Sequence, residues 1–140
     1  MYDIERLNAV IRDIEKYFAE LKKINLTKEN LHIPEKFYSS SMLMFGILNR
    51  TIDLAGDIII KNDFGMPSSY EQYFEVLEKN SIIDKSMEKG LKQLAKDRNL
   101  FAHQYFSMNE REVLNVSKRI STAKDFVEKI KKVVQRAEKR

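Results

Sequence analysis

Apolar residues recur at helical spacing along most of the chain. In the first segment they alternate at steps of three and four, which predicts an amphipathic helix from about Asp3 to Ile24. Pro34 marks a boundary, and a second apolar stripe predicts a long helix from Glu35 to about Lys61. This helix contains small residues that predict close crossing of a neighbour, within the fold or across a dimer: Ser40, Ser41 and Gly46.

The second long helix is followed by loop and capping signals. Gly65 and Pro67 predict a loop. Ser68, with Glu71 three residues later, predicts a capping box that opens a short third helix. That helix is expected to end near Lys79.

Two further helices complete the pattern. The fourth begins around Asp84 and runs into the stretch KDRNLFAHQYFSMNERE. Asn109 with Glu112 forms a second cap pair, after which apolar spacing predicts one last long helix. The sequence therefore predicts one all-α domain over residues 1–140, an up-and-down helical bundle of four principal helices plus a short extra helix.

The amino-acid composition argues against several kinds of structural or functional site. The chain has no cysteine, and its two histidines, His32 and His103, lie far apart in the sequence. These features predict neither disulfides nor a metal site, and no cofactor is expected. The N-terminus lacks the basic and apolar regions of a signal peptide, and no segment is apolar enough to span a membrane. A cytoplasmic protein with no membrane contact is predicted.

Positive charge is concentrated at the C-terminal end. The net charge is +4, and the segment from Ser117 to Arg140 carries nine basic residues against three acids. Such a helical face can follow a phosphate backbone. It is equally well explained as a solvated last helix whose cations lie near the negative end of the helix dipole.

The candidate chemistry lies where the fourth helix ends, at Arg98, His103 and Tyr105. At about 100° per residue, Arg98 and Tyr105 share a helix face and His103 lies about 140° away from Arg98. Three explanations remain open: the residues act separately, the helix bends, or a second copy of the chain supplies the partner groups. Each residue also has an ordinary role, as a helix C-terminal cation, a partly buried histidine and a core ring.

The words RNLFAHQY resemble the signature of the HEPN superfamily, most closely its HepT-like toxin branch. In that pattern an arginine followed by asparagine precedes a histidine and then a tyrosine, which here are Arg98, Asn99, His103 and Tyr105. The resemblance covers roughly residues 40 to 110, and the outer helices only by pattern. Phe101 departs from the charged or aliphatic residue that family members often carry before the histidine.

The resemblance implies a metal-independent endoribonuclease that acts as the toxin of a toxin–antitoxin system. Its substrate would be RNA, cut when the ribose 2′-hydroxyl attacks the adjacent phosphate. The residues suit this chemistry: His103 can transfer a proton near neutral pH, and Arg98 is a permanent cation for the crowded phosphate. Asn99 would orient the histidine or the phosphate through its amide.

The reaction needs both a base and an acid, and the motif holds one histidine per chain. A homodimer with His103 opposite His103 would supply both and create a composite site at the interface. The resemblance further implies a minimal nucleotidyltransferase antitoxin that adenylylates Tyr105 and silences the enzyme. The alternatives are a non-catalytic HEPN module that docks with a nucleotidyltransferase or presents its substrate, and a helical dimer without chemistry.

Overall fold

The computed structural model describes residues 2–104 and 107–139 of the chain. Six α-helices cover most of these residues: α1 Ile4–Ile24, α2 Pro34–Lys61, α3 Tyr70–Lys79, α4 Lys85–Gln104, α5 Glu110–Arg119 and α6 Thr122–Glu138. No strand occurs in the described ranges. The predicted all-α class is therefore confirmed, and the first four helices lie close to their predicted positions.

The first two helices form an antiparallel pair. Arg6 near the start of α1 donates from Nε to Oδ2 of Asp57 near the end of α2, at 3.0 Å. Between these ends the Tyr17 ring of α1 packs on Gly46 of α2, where a Cβ atom would lie 3.0 Å from Cε2 of Tyr17. The small residue at position 46 therefore accommodates a side chain of the neighbouring helix within the fold.

The helix α2 lies at the centre of the bundle and contacts each of the other five helices. Its largest fully buried apolar side chains are Met44, Ile47, Leu48, Leu54, Ile58 and Ile59. Burying such a side chain contributes about 1.5–3 kcal/mol. The packing of α2 therefore fixes the position from which a side chain on this helix points toward α4.

Side-chain caps set the starts of the shorter helices. The predicted capping box at the start of α5 is confirmed, because the Asn109 side chain accepts from the Glu112 backbone and the Glu112 side chain accepts from the Asn109 backbone. The cap of α3 is one residue later than predicted. Ser69 accepts from the backbone of Gln72, while Ser68 donates to the Gln72 side chain.

The predicted last helix is divided into α5 and α6 at Ile120 and Ser121. At this point the backbone amides of Ala123 and Lys124 donate to the carbonyls three residues earlier, at 3.0 and 2.9 Å. Bonds of this type tighten the turn relative to an α-helix. Apolar spacing continues through the junction, which is why periodicity alone predicts one helix.

None of the helices in the described ranges combines the length and the apolar character that a membrane span requires.

Candidate functional site

The helix α4 carries three of the four motif residues near its C-terminal end. Arg98 and Asn99 are half-buried, whereas the His103 side chain is exposed. The side chain of Asp84 accepts from the Met87 backbone at 2.8 Å at the start of the helix. Apolar residues on one face then fix α4 against the core. These three residues are therefore presented by a packed helix rather than by a loop.

Arg98 is held from several sides by groups that carry no charge. Its Nε donates to Oδ1 of Asn49 on α2 at 2.9 Å, and its Nη1 donates to Oδ1 of Asn99 at 3.4 Å. The guanidinium carbon lies 5.1 Å from the ring centre of Tyr70 and 5.9 Å from that of Phe45. No carboxylate pairs with Arg98 in the described part of the chain, so its positive charge is not neutralised within that part.

In the described part of the chain, Arg98 and His103 share no hydrogen bond. α4 is a continuous α-helix through Gln104, so the helix does not end between the two residues. Among residues 2–104 and 107–139, His103 makes neither a hydrogen bond nor an ion pair. Tyr105, the remaining motif residue, lies outside the described residues.

The two aromatic residues around Arg98 belong to longer stacks. Phe45 lies 6.1 Å from Phe101 in a stacked arrangement, and Tyr70 meets Tyr73 edge-on at 5.4 Å. Phe101, the residue that departs from the family pattern, is thus a fully buried support for the ring beside Arg98. Sequence reasoning missed Tyr70 and Phe45 because they lie on α3 and α2.

Next to Arg98 in the chain, the buried carboxylate of Asp97 forms an ion pair. Its carboxylate accepts from Nε and Nη2 of Arg119 on α5, at 2.7 and 2.6 Å, and from Gln93 at 3.1 Å. The Asp97 side chain is 3% exposed and that of Arg119 is 38% exposed. Hydrogen bonds to Asp97 raise the pKa of the Arg119 guanidinium above its ordinary value. This pair fixes α5 against α4 beside the motif.

In the described part of the chain, no cluster of metal-ligating residues is found, and two of the larger grooves contain no motif residue. Within that part, no three histidine, cysteine, aspartate or glutamate residues are grouped to hold a metal ion. Two grooves of about 350 and 450 Å³ run between α1 and α6, and neither is lined by a motif residue. We therefore take the surroundings of Arg98 as the candidate site.

Comparison with known proteins identifies the family and the fold. No curated protein matches the sequence. The fold matches a toxin–antitoxin complex solved with AMP-PNP (TM-score 0.80, 20% identity, 89% of this chain and 96% of that chain). It also matches the tri-AMPylated Shewanella oneidensis HEPN toxin in complex with MNT antitoxin (TM-score 0.80, 22% identity, 94% and 98% covered).

A third solved structure, the cytosolic protein of unknown function YutE from Bacillus subtilis, matches with a TM-score of 0.83 at 16% identity, over 98% of this chain and 95% of that chain. At these identities the structures establish a shared fold. A family model, ribonuclease HepT-like, matches residues 7–130, which include all six helices in whole or in part. The chain therefore belongs to the HepT-like ribonuclease family.

Proposed function

We propose that this protein is the toxin of a toxin–antitoxin pair and cuts RNA without a metal ion. The observation that carries the proposal is the half-buried guanidinium of Arg98, held by neutral groups and aromatic rings on the same helix as the exposed His103. An unneutralised, fixed guanidinium is suited to bind phosphate. Family membership supports ribonuclease activity, and two of the solved relatives are toxins with their antitoxins.

In the proposed reaction, the ribose 2′-hydroxyl attacks the adjacent phosphorus and the bond from phosphorus to the 5′-oxygen breaks. A base takes the proton of the 2′-hydroxyl, and an acid gives a proton to the leaving 5′-oxygen. His103 is the residue for proton transfer, and Arg98 stabilises the charge on the phosphate oxygens. Asn99 supports the site through its contact with Arg98. The products are a 2′,3′-cyclic phosphate and a 5′-hydroxyl.

A homodimer would complete this site. His103 lies about 140° around α4 from Arg98, and α4 is continuous between them, so a second copy of the chain is one way for the two residues to act at a shared site. Apolar side chains are exposed on α2 beside this region: Tyr38 is 53% and Met42 is 65% exposed. By helical geometry they lie on the same face as Asn49, which contacts Arg98. An exposed apolar stripe that continues into the site is suited to an isologous contact.

Adenylylation of Tyr105 is the proposed means of control, with a minimal nucleotidyltransferase antitoxin as the partner. A solved relative is a tri-AMPylated HEPN toxin bound to its MNT antitoxin. Each AMP unit would add a negative charge beside a cation that receives phosphate, which would oppose RNA binding. The exposed residues on either side, Gln104 and Ser107, belong to a surface that a partner enzyme can approach.

Catalysis is tested by incubating the purified protein with single-stranded RNA in EDTA. We expect cleavage that leaves 2′,3′-cyclic phosphate ends, and a loss of at least about 100-fold in Arg98→Ala and His103→Ala. His32→Ala is the matched control, because His32 is also exposed but lies between α1 and α2. Full activity of the His103→Ala protein would exclude the proposed role of that residue, and an inactive wild-type protein that still binds the nucleotidyltransferase would favour the docking module.

The dimer is tested by light scattering after size-exclusion chromatography. Met42→Lys should shift the protein toward monomer and lower RNA cleavage in parallel. Ile60→Lys is the control, since Ile60 is 63% exposed at the other end of α2. A monomeric wild-type protein that cuts RNA would contradict the composite site.

The modification is tested with the cognate nucleotidyltransferase, ATP and magnesium. Mass spectrometry should find AMP on Tyr105 together with loss of cleavage, and Tyr105→Phe should keep part of the activity and resist silencing. An adduct on Tyr70 or Tyr73 instead would leave Tyr105 without the regulatory role.

A further inference from the structure

Asn49 is the residue of α2 that meets the candidate phosphate-binding arginine. Its Oδ1 accepts the Arg98 Nε proton at 2.9 Å, the shorter of the two hydrogen bonds of that guanidinium in the described part of the chain. It sits between Leu48, which is 1% exposed, and Arg50, whose guanidinium pairs with Asp13 at 2.6 Å. Asn49 is therefore held by a well-packed stretch of the central helix.

The position of this bond determines which donors of Arg98 remain for a ligand. A guanidinium presents two pairs of parallel donors to an oxyanion: Nε with Nη2 along its side, and Nη1 with Nη2 at its end. The bond to Asn49 occupies Nε, so the side pair is no longer complete. Each Nη carries two protons, so after the long bond from Nη1 to Asn99 one proton on Nη1 and both on Nη2 remain for a ligand at the end. An oxyanion would therefore be received at the end of the guanidinium.

Two aromatic rings also lie near the Arg98 guanidinium. The Tyr70 and Phe45 rings lie 5.1 and 5.9 Å from the guanidinium carbon, close enough for cation–π attraction. Rings attract the cation but do not fix its rotation about the side-chain axis. A directional hydrogen bond does fix it, and Asn49 supplies that bond across 49 positions of the sequence.

The chemical type of the acceptor is also informative. An amide oxygen accepts the Nε proton as a carboxylate would, but it does not neutralise the charge. We propose that Asn49 is a positioning residue that fixes the rotation of Arg98, so that the scissile phosphate is received by Nη1 and Nη2. This inference rests on the proposed function, because it assigns a role within the same site.

The kinetic test compares Asn49→Leu in two backgrounds. Leucine is similar in size to asparagine but offers no acceptor. In the wild-type background we expect kcat to fall about 10- to 100-fold, with KM changed less than about threefold, because orientation rather than binding is lost. In an Arg98→Lys background, which has no Nε proton to orient, the same substitution should change kcat by less than about threefold.

Two controls separate positioning from a structural effect. Asn8→Leu makes the same change at an exposed position of α1 and should leave kcat unchanged. Asn49→Ala repeats the loss of the acceptor if the leucine variant unfolds, and urea denaturation monitors folding of each protein. An equal fall of kcat in both backgrounds, or no fall in the wild-type background, would overturn the proposal.

A spectroscopic readout does not depend on cleavage. Nitrogen-15 spectra of the wild-type protein should show a slowly exchanging Arg98 Nε–H signal, assigned by its absence from the Arg98→Lys protein and lost in Asn49→Leu. On titration with inorganic phosphate, the Nη signals should shift more than the Nε signal. A larger shift at Nε would contradict the inference even if RNA is cut. A wild-type protein that shows the expected shifts but cuts no RNA would overturn the proposed function and leave the positioning role supported.

Discussion

Two adjacent residues of α4, Asp97 and Arg98, carry opposite charges and have opposite environments. Asp97 is buried and meets a counter-ion, Arg119, through two short hydrogen bonds. Arg98 is half-buried and meets only neutral acceptors and aromatic rings in the described part of the chain. The first arrangement neutralises a charge, whereas the second holds a charge in place and leaves it available.

The difference follows from what each environment costs. A carboxylate removed from water is strongly unfavourable unless a cation with good geometry replaces the lost hydration. Arg98 keeps partial contact with solvent, and its rings and amide partners hold it without cancelling its charge. In this protein the charge of Asp97 is paired and contributes to stability, whereas the charge of Arg98 has neutral partners and is suited to binding an anion.

The largest expected effect comes from removing the counter-ion of Asp97. Arg119→Leu would leave a buried carboxylate unpaired, and the free energy of unfolding should fall by about 3–5 kcal/mol. Urea denaturation followed by circular dichroism measures this change. Arg111→Leu on the same helix is the control, since Arg111 is exposed. A loss below about 1 kcal/mol would show that the pair is not a structural element.

Removing the charge of Arg98 should have a smaller effect on stability than removing that of Arg119. Arg98→Met loses cation–π contacts of about 0.5–1 kcal/mol each and keeps an apolar stem against the rings. We expect the free energy of unfolding to change by about 1 kcal/mol or less, while RNA cleavage is lost. If Arg98→Met instead destabilises the fold as much as Arg119→Leu does, the two charges have the same role and the comparison fails.

The smallest effect on stability is expected when a neutral partner of Arg98 is replaced by a carboxylate. Asn49→Asp places a carboxylate where Arg98 Nε already donates. For a partly exposed pair the gain in unfolding free energy is about 0.2–1 kcal/mol. The new pair should also weaken RNA binding, measured as an increased Kd in a filter-binding assay at fixed salt. Unchanged RNA affinity would show that Arg98 does not receive phosphate.

Helix positions were largely predictable because burial on one face imposes a period on the sequence. The confirmed capping box at Asn109 and Glu112 was equally local, since its two residues recognise each other across one turn. Local signals also explain the small errors. Ser68 and Ser69 are chemically alike, so the sequence does not show which of them caps α3. Apolar spacing continues through the junction at Ile120 and Ser121, so hydrophobic periodicity does not show that the helix is divided there.

The environment of the site was not predictable for a different reason. Asn49, Tyr70 and Arg119 are far from Arg98 or Asp97 in sequence, and each reaches α4 only through tertiary packing. Nothing in the local composition distinguishes Asn49 from other polar residues of a helix surface. Motif resemblance gave Arg98, Asn99, His103 and Tyr105 as candidates, whereas the roles of the residues around Arg98 required the fold.

The guanidinium of Arg98, which pairs with no carboxylate in the described part of the chain, should also link the stability of the protein to the anions in its medium. Sulfate or phosphate that binds the end of Arg98 would bind the folded chain and not the unfolded one. By mass action such a ligand stabilises the fold by about 2.7 kcal/mol at 100 times its Kd. The melting temperature should then rise with sulfate more than with chloride at equal ionic strength, and this rise should be smaller in Arg98→Met, which keeps only the general stabilisation by sulfate exclusion. Buffer composition would thus act on this protein as a weak, reversible effector.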